Sequence, residues 1–261
     1  MNLNSLLHVS RSGINGLQKH MDVTSNNIAN VNTTGYKEKQ ISFHELLNNP
    51  TTAEEVDFPE NTQNLGFNRG VTIEEQGVNF SQGSFTDTQS AYDFAIEGAG
   101  FFGVREASGE LLLTREGNFG RDVLGQLVNQ RGQVVEMNTT VPYQQWPEGT
   151  PSVDSYGNVS IVNGDNNYPV GQILLFMPEN SDDLVADGSN LFRVANEANL
   201  QTSLTNPNAF GNIRQASLEN SNVDLAKSMT DMITTQRAYT LNTRVLQSTD
   251  DMLSTVNRFT E

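Results

Sequence analysis

The sequence predicts an α+β chain, with long N- and C-terminal helices forming an α-helical, coiled-coil-like domain and a central all-β domain between them. Three observations carry this. All eight Pro lie between Pro50 and Pro207, and 18 of the 21 Gly lie between Gly66 and Gly211, so both ends are almost free of helix breakers. The N-terminal segment repeats an apolar seam at 3-4 spacing. The middle alternates short β-rich runs with turn residues.

At the N-terminus the seam runs Leu3, Leu7, Ser10, Ile14, Leu17, Met21, Thr24, Ile28, Val31, the heptad pattern of a helix that packs on another helix. Gly13 and Gly16 weaken that helix by about 1 kcal/mol each but let a neighbour approach closely. Thr34-Gly35-Tyr36 offers a glycine cap at its end. Residues 48–66, acidic and rich in Asn, Thr and Pro, read as a connector.

From residue 67 to 216 the β-rich runs are Val71–Ile73, Val78–Phe80, Asp93–Ile96, Leu111–Thr114, Val134-Val135, Val153–Tyr156, Ile173–Phe176 and Leu191–Val194. Ser108-Gly109, Gly117-Asn118, Gly132, Gly157-Asn158, Asn163-Gly164 and Asp187-Gly188 lie between them, where tight hairpin turns need such residues. The last segment, 217–261, is expected to pair with 1–31, and 1–47 is taken as the N-terminal partner of this helical domain. Ser221-Asn222-Val223-Asp224 has the spacing of a capping box. After it, Val223, Ala226, Ile233, Leu241, Val245, Met252, Val256 and Phe259 fall near one stripe, widened by Leu225, Met229, Met232, Tyr239, Leu246 and Leu253. The opposite face is mostly Ser, Thr, Asn and Gln.

Composition removes several functions. Fifteen basic against 31 acidic side chains give a net charge of −16, which repels a nucleic-acid backbone and an anionic membrane surface. Without Cys there is no disulfide, thiolate nucleophile or cysteinyl metal site. His8, His20 and His44 are too scattered for a ligand pair and read as solvated. No apolar run is long enough to span a membrane or act as a signal peptide. Gly98-Ala-Gly100-Phe-Phe-Gly103 matches a dinucleotide fingerprint in letters only, because the residues after it read as a strand, not as the helix that would face a pyrophosphate. No catalytic residue, metal site or cofactor is therefore expected.

The row Ser25, Asn26, Asn27, Asn30, Asn32, Thr33, Gly35, Tyr36, Lys37 holds four side-chain amides, more than one helix cap requires, and reads as an intermolecular contact. Around it, TSNNIANVNTTGYK resembles the N-terminal motif of the bacterial flagellar axial (rod and hook) proteins, and SNVDLAKSMTDMITTQRAYTLNTRVLQSTDDM resembles that family's C-terminal helix. FSQGSFTDTQSAYDFAIEGAGFFGV, LTREGNFGRDVLGQLVNQRGQVV, PVGQILLF and DGSNLF are similar to its β domain. One departure is Ala216, in a stretch that usually contains glycine. A single middle region favours rod over hook, and the connector resembles that of the distal rod; a proximal-rod or hook-type relative is the alternative. A secreted β-rich adhesin or carbohydrate-binding protein, forming a closed oligomer, is the rival from another class.

The resemblance implies a structural subunit that polymerises into a hollow helical shaft joining motor to hook. It implies contacts with other rod proteins and hook subunits, and export through the flagellar type III apparatus to the basal body without a cleaved signal. The polymer contacts are expected at Leu3, Leu7, Ile14, Leu17, Met21, Ile28 and Val31 on the first helix. On the second they are expected at Ser221, Asn222, Val223, Asp224, Leu225, Met229, Met232, Ile233, Gln236, Arg237, Tyr239, Leu246 and Met252. Nucleic acid and membrane insertion are not expected.

Overall fold

The structure, a computed structural model, describes residues 3–47, 68–180, 183–194 and 199–260; the connector expected at 48–66 lies outside them. It is α+β, with one N-terminal helix, one C-terminal helix and a β-rich middle. Its backbone separates into two compact units, one of residues 1–29, 39–79 and 224–261, the other of residues 30–38 and 80–223.

The first unit holds helix α1 (Leu3–Ala29), strands β1 (Lys39–Leu47) and β2 (Asn68–Val78), and helix α2 (Leu225–Thr260). β1 and β2 pair antiparallel, from Lys39 opposite Val78 to Leu47 opposite Asn68. Residues 39–47 are thus a strand, and β2 belongs with the helices instead of opening the central domain at residue 67. The local signal is the alternation of Ile41 and Phe43 with Gln40, Ser42 and His44, a period of two.

The two helices run antiparallel: Gly13 faces the Asn242 amide, and His20 Nδ1 lies 2.9 Å from Thr235 Oγ1. Ser228, Thr235 and Thr249 are buried on α2, with Asn242 at the same seven-residue step, and Gly16, Thr24 and Asn27 are buried on α1. The heptad residues of the first helix read as a helix-packing seam, and the apolar stripes of both helices as contacts with sister copies. Leu7, Ile14, Leu17, Met21 and Ile28 are half-buried, while Leu225, Met229, Ile233, Leu241, Val245 and Met252 are exposed. Only Met232, Tyr239 and Leu246, four residues beyond 228, 235 and 242, take intermediate burial on the seam side. The side chains of Leu3, Leu253, Val256 and Phe259 lie outside the described ones.

Hydroxyls tolerate this burial because they bond locally. Thr24 Oγ1 donates to the His20 carbonyl, and Thr249 Oγ1 to the Val245 carbonyl, both at 2.8 Å, so neither hydroxyl is stranded by its burial. His20 is also not the solvated histidine that was expected, since its ring lies 5.6 Å from that of Phe43. Among described residues no helix is long and apolar enough to cross a membrane.

The helix start shifts as well. Asp224, not Ser221, caps α2: its Oδ1 accepts from the Lys227 amide at 3.1 Å, whereas Ser221 Oγ accepts from Val223 two residues on. A carboxylate one residue before the helix also faces the positive end of the helix dipole.

In the second unit, the largest sheet runs in the order 184–188, 191–194, 111–114, 101–105, 134–135, 127–129, 119–121, with 175–178 also pairing 101–105 and 200–202. Strands 137–139, 166–173, 158–163 and 150–153 form another, and two small pairs join 212–215 to 94–97 and 217–219 to 85–87. Phe94, Ile96, Phe102, Val104, Leu112, Ile173 and Ile213 are central to one apolar core. The Gly98–Gly103 run bends the chain from 94–97 into the strand 101–105, with Gly98 and Gly100 at φ of +117° and +122°. A strand follows the glycines, so no helix N-terminus is there to hold a phosphate.

Two details differ from the turn chemistry read in the sequence. Residues 154–157 are a turn, so the strand expected at Val153–Tyr156 ends at Val153. Gly117 is no hairpin turn either: its carbonyl accepts from the Phe94 amide at 2.9 Å, and a Cβ there would collide with the Phe94 carbonyl.

Ala216 sits where the chain leaves the strand paired to 94–97 and joins the one paired to 85–87, and its φ is +54°. A left-handed alanine costs about 1–2 kcal/mol, part of which glycine returns as unfolded-chain entropy. Ala216→Gly is therefore expected to stabilise the full chain by about 0.5–1 kcal/mol in urea unfolding. Unchanged or lowered stability would show that the break between the two strands is unstrained.

Candidate functional site

The row of amides and the residues after it do not form one exposed contact. Asn27 is buried on α1, where its Nδ2 donates to the Lys39 carbonyl at 2.9 Å and its Oδ1 accepts from the Lys39 amide at 3.0 Å. Those two bonds cap the end of β1, so this amide is used inside the chain. Ser25, Asn26 and Asn32 are exposed, while Asn30, Thr33 and Val31 are half-buried. Thr33 Oγ1 bonds Asn30 Oδ1 at 3.1 Å.

Gly35, Tyr36 and Lys37 are buried in the second unit, around one carboxylate. Lys37 Nζ donates to Glu219 Oε1 at 2.6 Å and to the Ser81 carbonyl at 2.8 Å. Arg115 Nη1 reaches Glu219 Oε2 at 3.3 Å, and the Gly83 amide donates to Oε1 at 3.0 Å. The side chains of Lys37, Glu219 and Arg115 are 0 %, 1 % and 6 % exposed, so one anion holds two cations without water. Arg115 Nη2 spends a further bond on the Gly98 carbonyl, and its guanidinium lies 5.2 Å from the centre of the Phe101 ring. Burial holds the Lys37 ammonium below its usual pKa, against the attraction of Glu219.

Glycine permits this packing. Gly35, at φ of +67°, does not cap α1, which ends six residues earlier; a Cβ there would stand 2.5 Å from the Glu116 nitrogen. Its amide donates to the Glu219 carbonyl at 2.8 Å, so the N-terminal motif is tied to residue 219 through both backbone and side chain. From the other side, Asn222 Oδ1 accepts from the Glu38 amide at 2.7 Å and its Nδ2 donates to Ser81. Val223 is buried beside it in sequence.

Of the residues expected on the second helix, Asp224, Leu225, Met229, Ile233, Gln236, Arg237 and Met252 are exposed, and Ser221, Asn222, Met232, Tyr239 and Leu246 are half-buried. Sequence reasoning missed Glu219, Arg115, Ser81 and Gly83, because a salt bridge across 182 positions leaves no local spacing to detect. The one available signal was the scarcity of basic residues in an acidic middle.

Tyr36 supplies a pH-dependent handle. Burial, and then the charge of Glu38, push its hydroxyl from 10.0 up to about 12. A raised acid pKa gives stability that is complete below 10.0 and is lost as pH climbs through about 12. Chemical denaturation between those pH values should show a steep loss in the parent chain and a shallower one in Tyr36→Phe; equal slopes would place the alkaline sensitivity elsewhere.

Three family models match the chain: "Flagella basal body rod protein" over residues 7–37, "Flagellar hook protein FlgE/F/G D1 domain" over 95–161 and "Flagellar basal body rod FlgEFG protein C-terminal" over 214–259. The chain is 33% identical to the flagellar basal-body rod protein FlgG of Borreliella burgdorferi, over 96% of its own length and 97% of the relative's. It is 32% identical to the FlgG of Bacillus subtilis, over 95% and 96%. It is also 32% identical to the flagellar basal-body rod protein FlgF of Caulobacter vibrioides, over 96% and 95%.

Proposed function

The chain belongs to the flagellar basal-body rod family, and from that premise we propose that it polymerises through the outward apolar side chains of its terminal helices into the distal part of the rod. It is a structural subunit and not an enzyme, it resides in the flagellar basal body, and it is similar to FlgG proteins, the distal-rod type.

One observation supports the finer reading. The seam between α1 and α2 takes up small polar residues, so Ile233 and Leu241 keep 52% and 61% of their surface in water, alongside Met229, Val245 and Met252. Apolar groups repeated along a helix gain by leaving water, at about 25 cal/mol for each Å² buried. Sister copies offer that cover, and heterologous contacts that do not close into a ring extend into a tube. Leu7, Ile14, Leu17, Met21, Ile28 and Val31, half-buried here, would be completed by the same neighbours, giving the two helices their coiled-coil-like role in the inner wall. Serines and threonines left outside suit a wet channel. Other rod proteins and hook subunits then meet the two ends of the tube, and the subunit reaches its place through the flagellar type III export apparatus without a cleaved signal.

The test uses two exposed positions. Ile233→Lys and Leu241→Lys should leave monomer stability within about 0.5 kcal/mol of the parent, as surface changes do. Sedimentation of the parent over a concentration series should show polymer growing with concentration, and the variants should stay monomeric. A discrete small oligomer in the parent, or polymer of equal size in both variants, would refute the reading.

A further inference from the structure

The buried charges of the second unit lie at the margin of its apolar core, where Arg115 rests over Phe101 and reaches the Ile96 carbonyl. The connected core cluster, from Phe94 to Ile213, contains no residue of 30–38, 80–88 or 217–223. Those three segments bond one another, and segment 80–88 also anchors on the core, where Phe80 packs edge-on to Phe101 and Phe192 and Gln82 bonds Ile96 and Gly98. Among described residues strand 217–219 pairs with 85–87 alone, Lys37 and Gly35 bond Glu219, Gly83 bonds Glu219, and Asn220 Nδ2 reaches Ser84 and Thr86. Asn222 bridges Glu38 and Ser81. Most hydrogen bonds within the set pass through residue 219 or its neighbours, and Tyr36, Leu218 and Val223 add a small buried apolar share.

The same region carries the polar imperfections of the molecule. Among described residues, two buried side-chain atoms have no hydrogen-bond partner, Arg115 Nε and Thr88 Oγ1. One belongs to a cation on Glu219, and the other to the residue whose amide donates to the Ala216 carbonyl. The strained alanine at φ of +54° adjoins strand 217–219. Buried ion pairs gain little net stability, because desolvation cancels most of their attraction, and orphaned polar atoms regain water on opening. Opening this cluster is thus cheap beside exposing the apolar core.

We propose that Glu219 is the positioning residue of a charge-closed latch, which holds segments 30–38 and 217–223 on the β unit and opens as a unit while the apolar core stays folded. The segments it releases are the ones that lead to α1 and α2 in the chain. Sub-global opening of this kind is a known behaviour of cooperative segments with few apolar contacts. The latch needs both ends: Lys37 and Glu219 stand 182 positions apart, so it closes only when the N-terminal motif and the C-terminal stretch are both present.

Native-state hydrogen exchange on the full chain decides it. The amides of Gly35 and Gly83, which donate to Glu219, are compared with those of Phe94 and Ile173, which donate to carbonyls around the core. The latch predicts that Gly35 and Gly83 exchange at least about tenfold faster in the parent chain. In Lys37→Met, which leaves the carboxylate short of one cation, their exchange should rise about a hundredfold more while Phe94 and Ile173 change less than about threefold. Adding Glu219→Gln to that variant should recover most of the loss, because the stranded charge is gone. Equal exchange at all four amides in the parent chain overturns the proposal. So does a Lys37→Met variant that loosens all four together or does not fold, and so does a double variant no better protected than the single one.

Discussion

Water is the constraint that orders this molecule. Its terminal helices carry enough apolar surface for a buried pair, yet the residues that meet between them are small or polar, Gly13 with Asn242 and His20 with Thr235, and Gly16, Thr24, Ser228 and Thr249 are buried along them. Small residues bring helix axes close and hydroxyls satisfy themselves on neighbouring carbonyls, so a polar seam forms at little cost. The consequence is that Ile233, Leu241 and Met252 stay half in solvent. On the proposed reading, neighbouring subunits of the basal-body rod supply the cover that the lone chain lacks.

The β-rich unit solves a different problem. It buries phenylalanines, leucines and isoleucines in one apolar cluster. Beside that cluster it places a second, charged one in which Lys37 and Arg115 share Glu219. The motif at 33–37, whose letters carry the family resemblance, is used there for internal docking: Gly35 admits the backbone of Arg115 and Glu116, and Lys37 reaches past Tyr36 to the carboxylate. Its conformational demands follow from close backbone approach and from a buried charge, and neither is visible at a polymer surface.

Periodicity in the sequence was enough to place both helices, since Leu3–Ala29 and Leu225–Thr260 coincide closely with the heptad and stripe patterns. It was also enough to locate the hairpin glycines, among them Gly109, Gly132, Gly157 and Gly164, all at positive φ. An apolar stripe reports that burial is favourable, not which neighbour supplies it, and here the intramolecular neighbour prefers small polar residues. The strand at Lys39–Leu47 was masked by the motif before it, and the cap at Asp224 by a Ser221 with equally suitable spacing. Glu219 had no local signature, because its partners arrive from positions 37, 83 and 115.

The claim that sister copies cover the outward apolar groups is tested most directly by exchange-detected protection of α2 in monomer and polymer. Amides from Ile233 to Val245 should exchange much more slowly in assembled material than in dilute monomer, while those around Phe94 and Ile173 in the β core stay unchanged. Equal protection of α2 in the two states would mean that assembly uses some other surface, and would contradict the account.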